Sequence, residues 1–172
     1  APIYSIVVPS YLHLHDCLYP CLESIRKWTD FNTTEVIVIL NGCGDDGSAE
    51  YVKSLGPAFR YVWFDDPIGF TKATNAGIDA ARGEYLIFLN NDCEVLSPYW
   101  ISLLQQLWEA TPNAGVVGPS IEDAYGGQFC AFYCAMTSRA VMDRIGKLDE
   151  VFESGGEDID FCRRAQRAGF QI

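Results

Sequence analysis

The amino-acid sequence predicts an α/β domain with a mostly parallel central sheet flanked by helices. Along its 172 residues, short apolar runs rich in β-branched side chains alternate with amphipathic stretches whose apolar residues recur at helical spacing. This alternation is typical of parallel strands joined by crossover helices. A second observation agrees with it. The run Tyr85–Leu89 is apolar throughout, as expected for a strand that helices cover on both faces.

Four strands and three helices are predicted in the first half of the chain. The predicted strands comprise residues 4–8, 35–40, 61–64 and 85–89. The predicted helices lie within residues 18–28, 48–55 and 70–81. Ser48 is a residue type that caps helices, so we expect its side chain to cap the second of them.

The second half of the chain is predicted to contain further helices and two more strands. The predicted helices comprise residues 98–110, 138–145 and 157–168, and the predicted strands comprise residues 115–117 and 129–137. The polar, glycine-rich stretch 121–128 is predicted to be a loop. Two consecutive glycines, Gly155 and Gly156, separate the last two helices.

The composition excludes some functions and favours others. A formal net charge of −11 argues against nucleic-acid binding, which needs clustered lysines and arginines. An anionic ligand would need a counter-charge, which a divalent cation could supply. No apolar run reaches the length of a membrane span. The seven cysteines include no C-x-x-C pair, so we expect reduced thiols and a location in the cytoplasm, or at the cytoplasmic face of a membrane.

A glycine-rich motif follows the second predicted strand. Residues 41–47, NGCGDDG, match G-x-G-x-x-G, and Asp65 and Asp66 follow at about the 20-residue distance of a ribose-binding acid. These residues are therefore compatible with a dinucleotide site. However, Asp45 and Asp46 would repel a pyrophosphate, and glycine and aspartate are also common in plain turns. From this segment alone both interpretations stay open.

Polar residues also follow the fourth predicted strand, at the sheet edge where α/β proteins bind ligands. They are Asn90, Asn91 and Asp92. Mg²⁺ is often held by one or two carboxylates together with substrate phosphates, so Asp92 is a candidate metal ligand. The two asparagines could orient a ribose hydroxyl or a water molecule. A turn stabilised by the asparagine side chains explains this segment equally well.

The last distinctive segment is SGGEDIDFCRRA, residues 154–165. It leads from the two glycines into a helix whose first turn carries Glu157, Asp158 and Asp160. Acidic side chains interact favourably with the N-terminal end of a helix dipole, which is sufficient reason for their presence. The functional alternative is a carboxylate that accepts a proton from a nucleophile.

Five segments together identify a family. They are YSIVVPSY (4–11), EVIVILNGCGDDGS (35–48), GFTKATNAG (69–77), RGEYLIFLNNDCEV (82–95) and IGKLDEVFESGGEDIDFCRRA (145–165). In this order they resemble the family 2 glycosyltransferases of GT-A fold. The resemblance implies one GT-A domain over residues 1–172, with a nucleotide-binding half of about 1–95 and an acceptor and catalytic half of about 96–172. Since the chain begins almost directly on a strand and lacks a terminating signal, we expect it to be a piece of a longer protein.

The resemblance also implies an activity. The family transfers a sugar from a nucleotide-diphosphate sugar to an acceptor, with inversion at the anomeric carbon. The implied enzyme is therefore an inverting glycosyltransferase that uses Mg²⁺ or Mn²⁺. A UDP-sugar is the expected donor, and a glycan or another hydroxyl compound is the expected acceptor, as in polysaccharide biosynthesis. The NGCGDDG turn would then lie beside the nucleoside, and its similarity to a dinucleotide loop would be incidental.

Positions that match the family motifs give expected roles for individual residues. The donor nucleotide would contact Pro9, Ser10, Tyr11, Asn41, Lys72, Asn75, Asn90 and Asn91. Asp92 would bind the metal as the last residue of a D-x-D motif, whose first acid this chain lacks. Asp158 would be the catalytic base, with Glu157 as its neighbour. The chain also departs from the family at Leu40, where an acid commonly contacts the nucleobase.

Three alternatives remain beside the transferase. The first is a non-catalytic nucleotide- or carbohydrate-binding module of the same fold, which hydrolysis of the donor would distinguish from an enzyme. The second is a nucleotidyltransferase, although PSYLHLHD after the first strand is not the glycine-rich basic loop that a triphosphate requires. The third is the dinucleotide-binding protein, which binding of NAD instead of a UDP-sugar would reveal.

Overall fold

The computed structural model describes residues 1–124, 126–153 and 155–172. Its strands are β1 (Tyr4–Ser10), β2 (Thr34–Asn41), β3 (Phe59–Phe64), β4 (Tyr85–Leu89), β5 (Ser120–Glu122), β6 (Gln128–Cys130) and β7 (Cys134–Ser138). Its α-helices are α1 (Tyr19–Trp28), α2 (Ser48–Ser54), α3 (Phe70–Ala80), α4 (Trp100–Ala110), α5 (Arg139–Ile145) and α6 (Glu157–Arg167), and a π-helical turn (Leu14–Leu18) precedes α1. Tyr125, in the predicted loop, and Ser154, at the start of the acidic segment, lie outside the described residues.

The central sheet has the strand order β3-β2-β1-β4-β7. The first four strands are parallel, and β7 runs antiparallel to β4 with Leu89 opposite Cys134. Parallel strands all end at the same edge of a sheet, so the residues that follow β1, β2 and β4 are brought together there. The predicted fold class, with a mostly parallel sheet between helices, is confirmed.

Both faces of the sheet are covered. Along β1 and β2 the buried residues alternate between two hydrophobic clusters, with Ile6, Val8 and Val36 in one and Val7 and Ile37 in the other. This alternation follows from the two-residue repeat of a strand. Helix α3 lies directly on one face: a Cβ added at its Gly77 would lie 2.5 Å from Val7 Cγ1. Alanine cannot be accommodated at this close contact without displacing the helix.

The amino edge of the sheet is held by a buried carboxylate, Glu35. It accepts hydrogen bonds from Ser5 Oγ at 2.8 Å, Arg60 Nη2 at 2.8 Å, the Arg82 backbone N–H at 2.7 Å and Arg82 Nη2 at 2.8 Å. Burial alone would raise the pKa of Glu35, but these hydrogen bonds outweigh it and lower the pKa to about 2. Glu35 therefore remains ionised, and it joins β1, β2, β3 and the chain that follows α3.

The predictions for the first half of the chain are largely confirmed. The four predicted strands and three predicted helices are all present, with ends that differ by at most two residues at each strand and by a residue or so at the second and third helices. The predicted cap is wrong. Gly47 is the N-cap of α2, and Asp46 Oδ1 accepts the hydrogen bond of the Ser48 backbone N–H at 2.9 Å.

In the second half, the helices are confirmed but three other predictions need correction. The predicted loop 121–128 includes half of the strand residues of the antiparallel pair β5 and β6, whose three-residue strands are too short to show an alternation of apolar and polar residues. The predicted strand 129–137 is divided, because a turn in which Cys134 N–H binds the Ala131 carbonyl separates β6 from β7. Residues 115–117 form isolated backbone contacts with Gln171 and Met136 in place of a strand. Among the described residues, no helix has both the length and the apolar character needed to cross a bilayer.

Candidate functional site

A cleft of about 430 Å³ lies at the carboxyl edge of the sheet. The ends of β1, β2 and β4 contribute residues to it, as do the start of α3 and the segment that precedes α6. The lining residues are Pro9, Ser10, Tyr11, Asn41, Pro67, Gly69, Phe70, Asn90, Asn91, Asp92 and Glu153. The structure therefore brings seven of the sequence-predicted site residues into one cavity, at the place where open α/β sheets bind ligands.

The floor of the cleft joins the ends of β1 and β4. Asn91 Nδ2 donates a hydrogen bond to Ser10 Oγ at 3.2 Å. Ser10 is 2% exposed, whereas the Tyr11 ring is half exposed and free to contact a ligand. The floor is thus a hydrogen-bonded polar surface beside a partly exposed aromatic ring.

Asn41 holds one wall of the cleft. Its Oδ1 accepts a hydrogen bond from the Ile68 backbone N–H at 2.8 Å, and its Nδ2 donates to the Gly69 carbonyl at 3.4 Å. Gly42, next to it, has a φ of 76°, and a Cβ there would lie 2.5 Å from Pro67 N. The first glycine of NGCGDDG is therefore required by a tight turn packed against this wall. The rest of the motif, from Cys43 to Gly47, is not among the cleft-lining residues.

The end of β4 provides the polar groups with the fewest partners. Asp92 is exposed, and its one contact among the described residues is with Cys93 Sγ at 3.8 Å. Asn90 Oδ1 is buried and has no hydrogen-bond partner among the described residues. An oxygen in that position can accept a hydrogen bond from a ligand, or face a cation or its water.

These residues fit a metal that is held jointly with a ligand. In the part of the chain that the structure describes, no three His, Cys, Asp or Glu side chains are grouped as a metal site. A hard cation commonly uses one or two carboxylates together with substrate phosphates and water. Asp92 can supply the carboxylate, and the donor set of Asp92 with the asparagine oxygens is the oxygen-rich kind that Mg²⁺ and Mn²⁺ prefer.

Two predicted donor contacts do not line the cleft. Lys72 lines an adjoining pocket of about 380 Å³, which shares Pro67, Gly69 and Glu153 with the cleft. Asn75 is buried, and its amide group binds the backbone of Leu148 in both directions, at 2.9 and 3.1 Å. Its Nδ2 also donates to Glu150 at 3.0 Å. Asn75 therefore anchors the segment that leads towards α6.

The two predicted catalytic acids, Glu157 and Asp158, stand in the first turn of α6 and are also outside the cleft lining. Asp158 Oδ1 accepts a hydrogen bond from the Ile159 backbone N–H at 2.8 Å. Glu157 is 7% exposed, and its Oε2 has no partner among the described residues. Burial raises the pKa of Glu157, and the neighbouring Asp158 adds to the effect, against hydrogen bonds from nearby backbone amides.

Sequence reasoning missed four lining residues: Pro67, Gly69, Phe70 and Glu153. Gly69, with a φ of 86°, and Phe70 open the segment GFTKATNAG, so the resemblance could have found them. Glu153 lies within the last of the five segments that carry the resemblance, but it matches none of the motif positions used there. Its place in the cleft depends on the contact between its own carbonyl and the Phe70 N–H, 3.2 Å apart and 83 positions distant in sequence.

Comparisons with known proteins identify the family. A family model described as glycosyl transferase family 2 matches residues 5–132. The glycosyltransferase AglE of Haloferax volcanii is 26% identical over 99% of this chain and 64% of its own length. The putative glycosyltransferase EpsH of Bacillus subtilis is 29% identical over 64% of this chain and 32% of its own length. The chain therefore spans less than two thirds of the length of these relatives.

Solved structures show the same fold. The mannosyltransferase PcManGT of Pyrobaculum calidifontis, in complex with GDP-Man and Mn²⁺, matches with a TM-score of 0.79 and 17% identity, over 99% of this chain and 53% of its own. TarS 1–349 of S. aureus matches with a TM-score of 0.69 and 15% identity, over 94% of this chain and 54% of its own. The family model covers well over half of the 172 residues. This chain belongs to glycosyl transferase family 2 and has the GT-A fold.

Proposed function

We propose that the chain is the donor-binding and catalytic domain of an inverting, metal-dependent glycosyltransferase. It transfers a sugar from a nucleotide-diphosphate sugar to the hydroxyl of a glycan or another acceptor. The observation that carries this proposal is the cleft, in which the ends of β1, β2 and β4 place Ser10, Asn41 and Asp92 around one cavity. The solved relative bound to GDP-Man and Mn²⁺ supports a nucleotide-sugar donor and a divalent metal.

Asp92 and the asparagines form the diphosphate end of the proposed site. A diphosphate bound to a chain of net charge −11 needs a counter-charge, which a divalent cation can supply. Mg²⁺ or Mn²⁺ held there would stabilise the negative charge that grows on the leaving nucleoside diphosphate. Asp92 supplies its carboxylate, and Asn91, fixed by Ser10, orients the polar groups beside it. Pro9, Tyr11 and Asn41 form the nucleoside end.

Asp158 is the proposed base. In an inverting displacement, a carboxylate takes the proton from the acceptor hydroxyl as that oxygen attacks the anomeric carbon on the face opposite to the leaving group. Asp158 stands in the first turn of α6, where an anionic side chain is favoured by the helix dipole. Glu157, buried beside it, would keep the base in position. The seven cysteines are all free, which is consistent with the proposed cytoplasmic location.

Calorimetric titration of UDP, GDP and NAD, each with and without Mn²⁺, tests the donor site. We expect tight binding of one nucleoside diphosphate, with UDP favoured, and only in the presence of the metal. Asp92→Asn should abolish the metal dependence. Glu94→Gln is the matched control, because Glu94 is exposed, lies two residues away and does not line the cleft. Metal-independent binding of NAD, or no binding at all, would contradict the proposal.

The base is tested separately by Asp158→Asn. We expect donor affinity to be unchanged and the transfer rate to fall by at least about 100-fold, the low end of what a general base contributes. The measurement is sugar transfer from the donor that calorimetry identifies, with hydrolysis of that donor as the assay when no acceptor is known. Unchanged turnover in this variant would exclude Asp158 as the base. A wild-type protein that binds the donor but never turns it over would be a binding module.

A further inference from the structure

Glu153 is one of only two carboxylates that line the cleft within the described residues, the other being Asp92. It also lines the adjoining pocket that contains Lys72 and Glu150. The side chain is exposed. Glu153 forms no side-chain hydrogen bond or ion pair with the described residues, which include every acidic, basic and histidine side chain of the chain. An unpaired acceptor thus stands between the two cavities.

The backbone that carries Glu153 is held at a defined place. Its carbonyl accepts the Phe70 N–H at 3.2 Å, at the start of α3. Gly69, beside it, is in turn held by Asn41 at the end of β2. Glu153 therefore belongs to the β2 side of the cleft. Asp92 follows β4, and β1 lies between β2 and β4, so the strand order puts β1 between the segments that carry the two carboxylates.

This separation determines which part of a donor each carboxylate meets. If Asp92 marks the diphosphate, then a nucleoside extends from there across β1 towards β2 and Glu153. An ionised carboxylate only accepts hydrogen bonds, and it would repel a phosphate. A nucleoside offers two kinds of donor group: the N–H groups on the edge of its base and the hydroxyl pair of its ribose. Hydrogen bonds to a charged acceptor are among the stronger ones in proteins.

We propose that Glu153 is a specificity-determining residue whose carboxylate accepts hydrogen bonds from the nucleoside of the sugar donor. This inference rests on the proposed function. It assigns a nucleoside contact to a segment that follows β7 in the chain.

The test compares Glu153→Gln with the control Glu94→Gln by calorimetry in the presence of Mn²⁺. The probes are UDP, GDP, 2′-deoxy-UDP and inorganic pyrophosphate, which lacks the nucleoside. We expect Glu153→Gln to lower the affinity for the preferred nucleoside diphosphate by roughly 10-fold or more, because a hydrogen bond to a charged group is lost. The affinity for pyrophosphate should not change. Loss of the preference for UDP over 2′-deoxy-UDP would identify the ribose as the partner. Loss of the preference between UDP and GDP would identify the base.

Three results would overturn the inference. If Glu153→Gln lowers the affinities for pyrophosphate and for the nucleotide equally, Glu153 is a metal ligand. If the variant binds the nucleotide as tightly as the wild type or more tightly, the Glu153 side chain faces solvent. Wild-type protein that bound no nucleoside diphosphate would refute the proposed function, and this inference with it. Thermal unfolding of Glu153→Gln and of a second variant, Glu153→Ala, tests whether each variant is folded. Because the side chain is exposed, both should unfold at the wild-type temperature.

Discussion

Glu35 and Glu157 are almost equally buried, at 3% and 7% exposure, yet their surroundings treat negative charge in opposite ways. Glu35, at the amino edge of the sheet, is surrounded by donors that lower its pKa to about 2. Glu157, four residues beyond the cleft-lining Glu153, has a buried oxygen without a partner among the described residues, and its pKa is raised. Burial alone therefore does not determine the charge of a carboxyl group; its supply of hydrogen-bond donors does.

This difference in hydrogen bonding suggests different roles for the two edges of the sheet. At the amino edge, Ser5, Arg60 and Arg82 satisfy Glu35 completely, so this group can only stabilise the fold. At the carboxyl edge, the acceptor Asn90 Oδ1 is left without a partner among the described residues, whereas the unsatisfied group beside Glu35 is a donor, Arg60 Nε. A folded protein tolerates such unsatisfied groups where a ligand or a chemical step uses them.

The largest effect should come from Glu35→Gln. The substitution leaves two arginines beside a neutral amide, and we expect the free energy of unfolding in urea to fall by about 3 kcal/mol. The sign of the pH dependence follows from the lowered pKa. The stabilisation by Glu35 is fully present above the ordinary carboxyl value of 4.5 and is lost as the pH falls towards about 2. The wild type and the variant should therefore converge in stability between pH 4.5 and 2, and curves that stay parallel would contradict this role.

A smaller effect of opposite sign is expected for Glu157→Gln. Because the folded state raises the pKa of Glu157, its contribution is most favourable in acid and is lost as the pH rises through the raised value. The neutral amide removes that penalty, so the variant should be as stable as the wild type at pH 4, below the ordinary carboxyl value of 4.5, and more stable by about 1 kcal/mol at pH 8. Thermal unfolding at the two pH values is the measurement. A variant less stable than the wild type at pH 8 would show that the Glu157 charge is satisfied after all.

The smallest effect should come from Asp79→Asn, which removes a surface ion pair. Asp79 Oδ2 lies 2.7 Å from Lys147 Nζ, but both side chains are largely exposed, at 65% and 41%. Water and salt screen such a pair, so its loss should cost less than about 0.5 kcal/mol. The measurement is the free energy of unfolding in urea, compared with that of Glu35→Gln under the same conditions. If Asp79→Asn lowered the free energy of unfolding as much as Glu35→Gln does, burial would not explain why the two ion pairs differ in strength.

Much of the fold could be predicted because its signals are local. The two-residue repeat of strands and the helical spacing of apolar residues depend only on residues close together in the sequence. The ends of β1 to β4 were therefore predicted to within two residues. The hairpin of β5 and β6 carries no such signal in three-residue strands. The prediction also joined β6 and β7 into one strand, because the turn between them consists of Ala131, Phe132 and Tyr133, which are as apolar as a strand.

The sequence by itself determined the alternation of strands and helices, the polar ends of β1, β2 and β4, and the family to which the chain belongs. Only the tertiary structure decided which polar side chains line the cleft. Asn75 matched a donor-binding position, yet its amide group binds Leu148, 73 positions away, whereas Glu153 matched no motif position and lines the cleft. The physical reason is that hydrophobic periodicity depends on neighbours along the chain. The partner of a polar group depends on which distant segments the packed core brings within 3 Å.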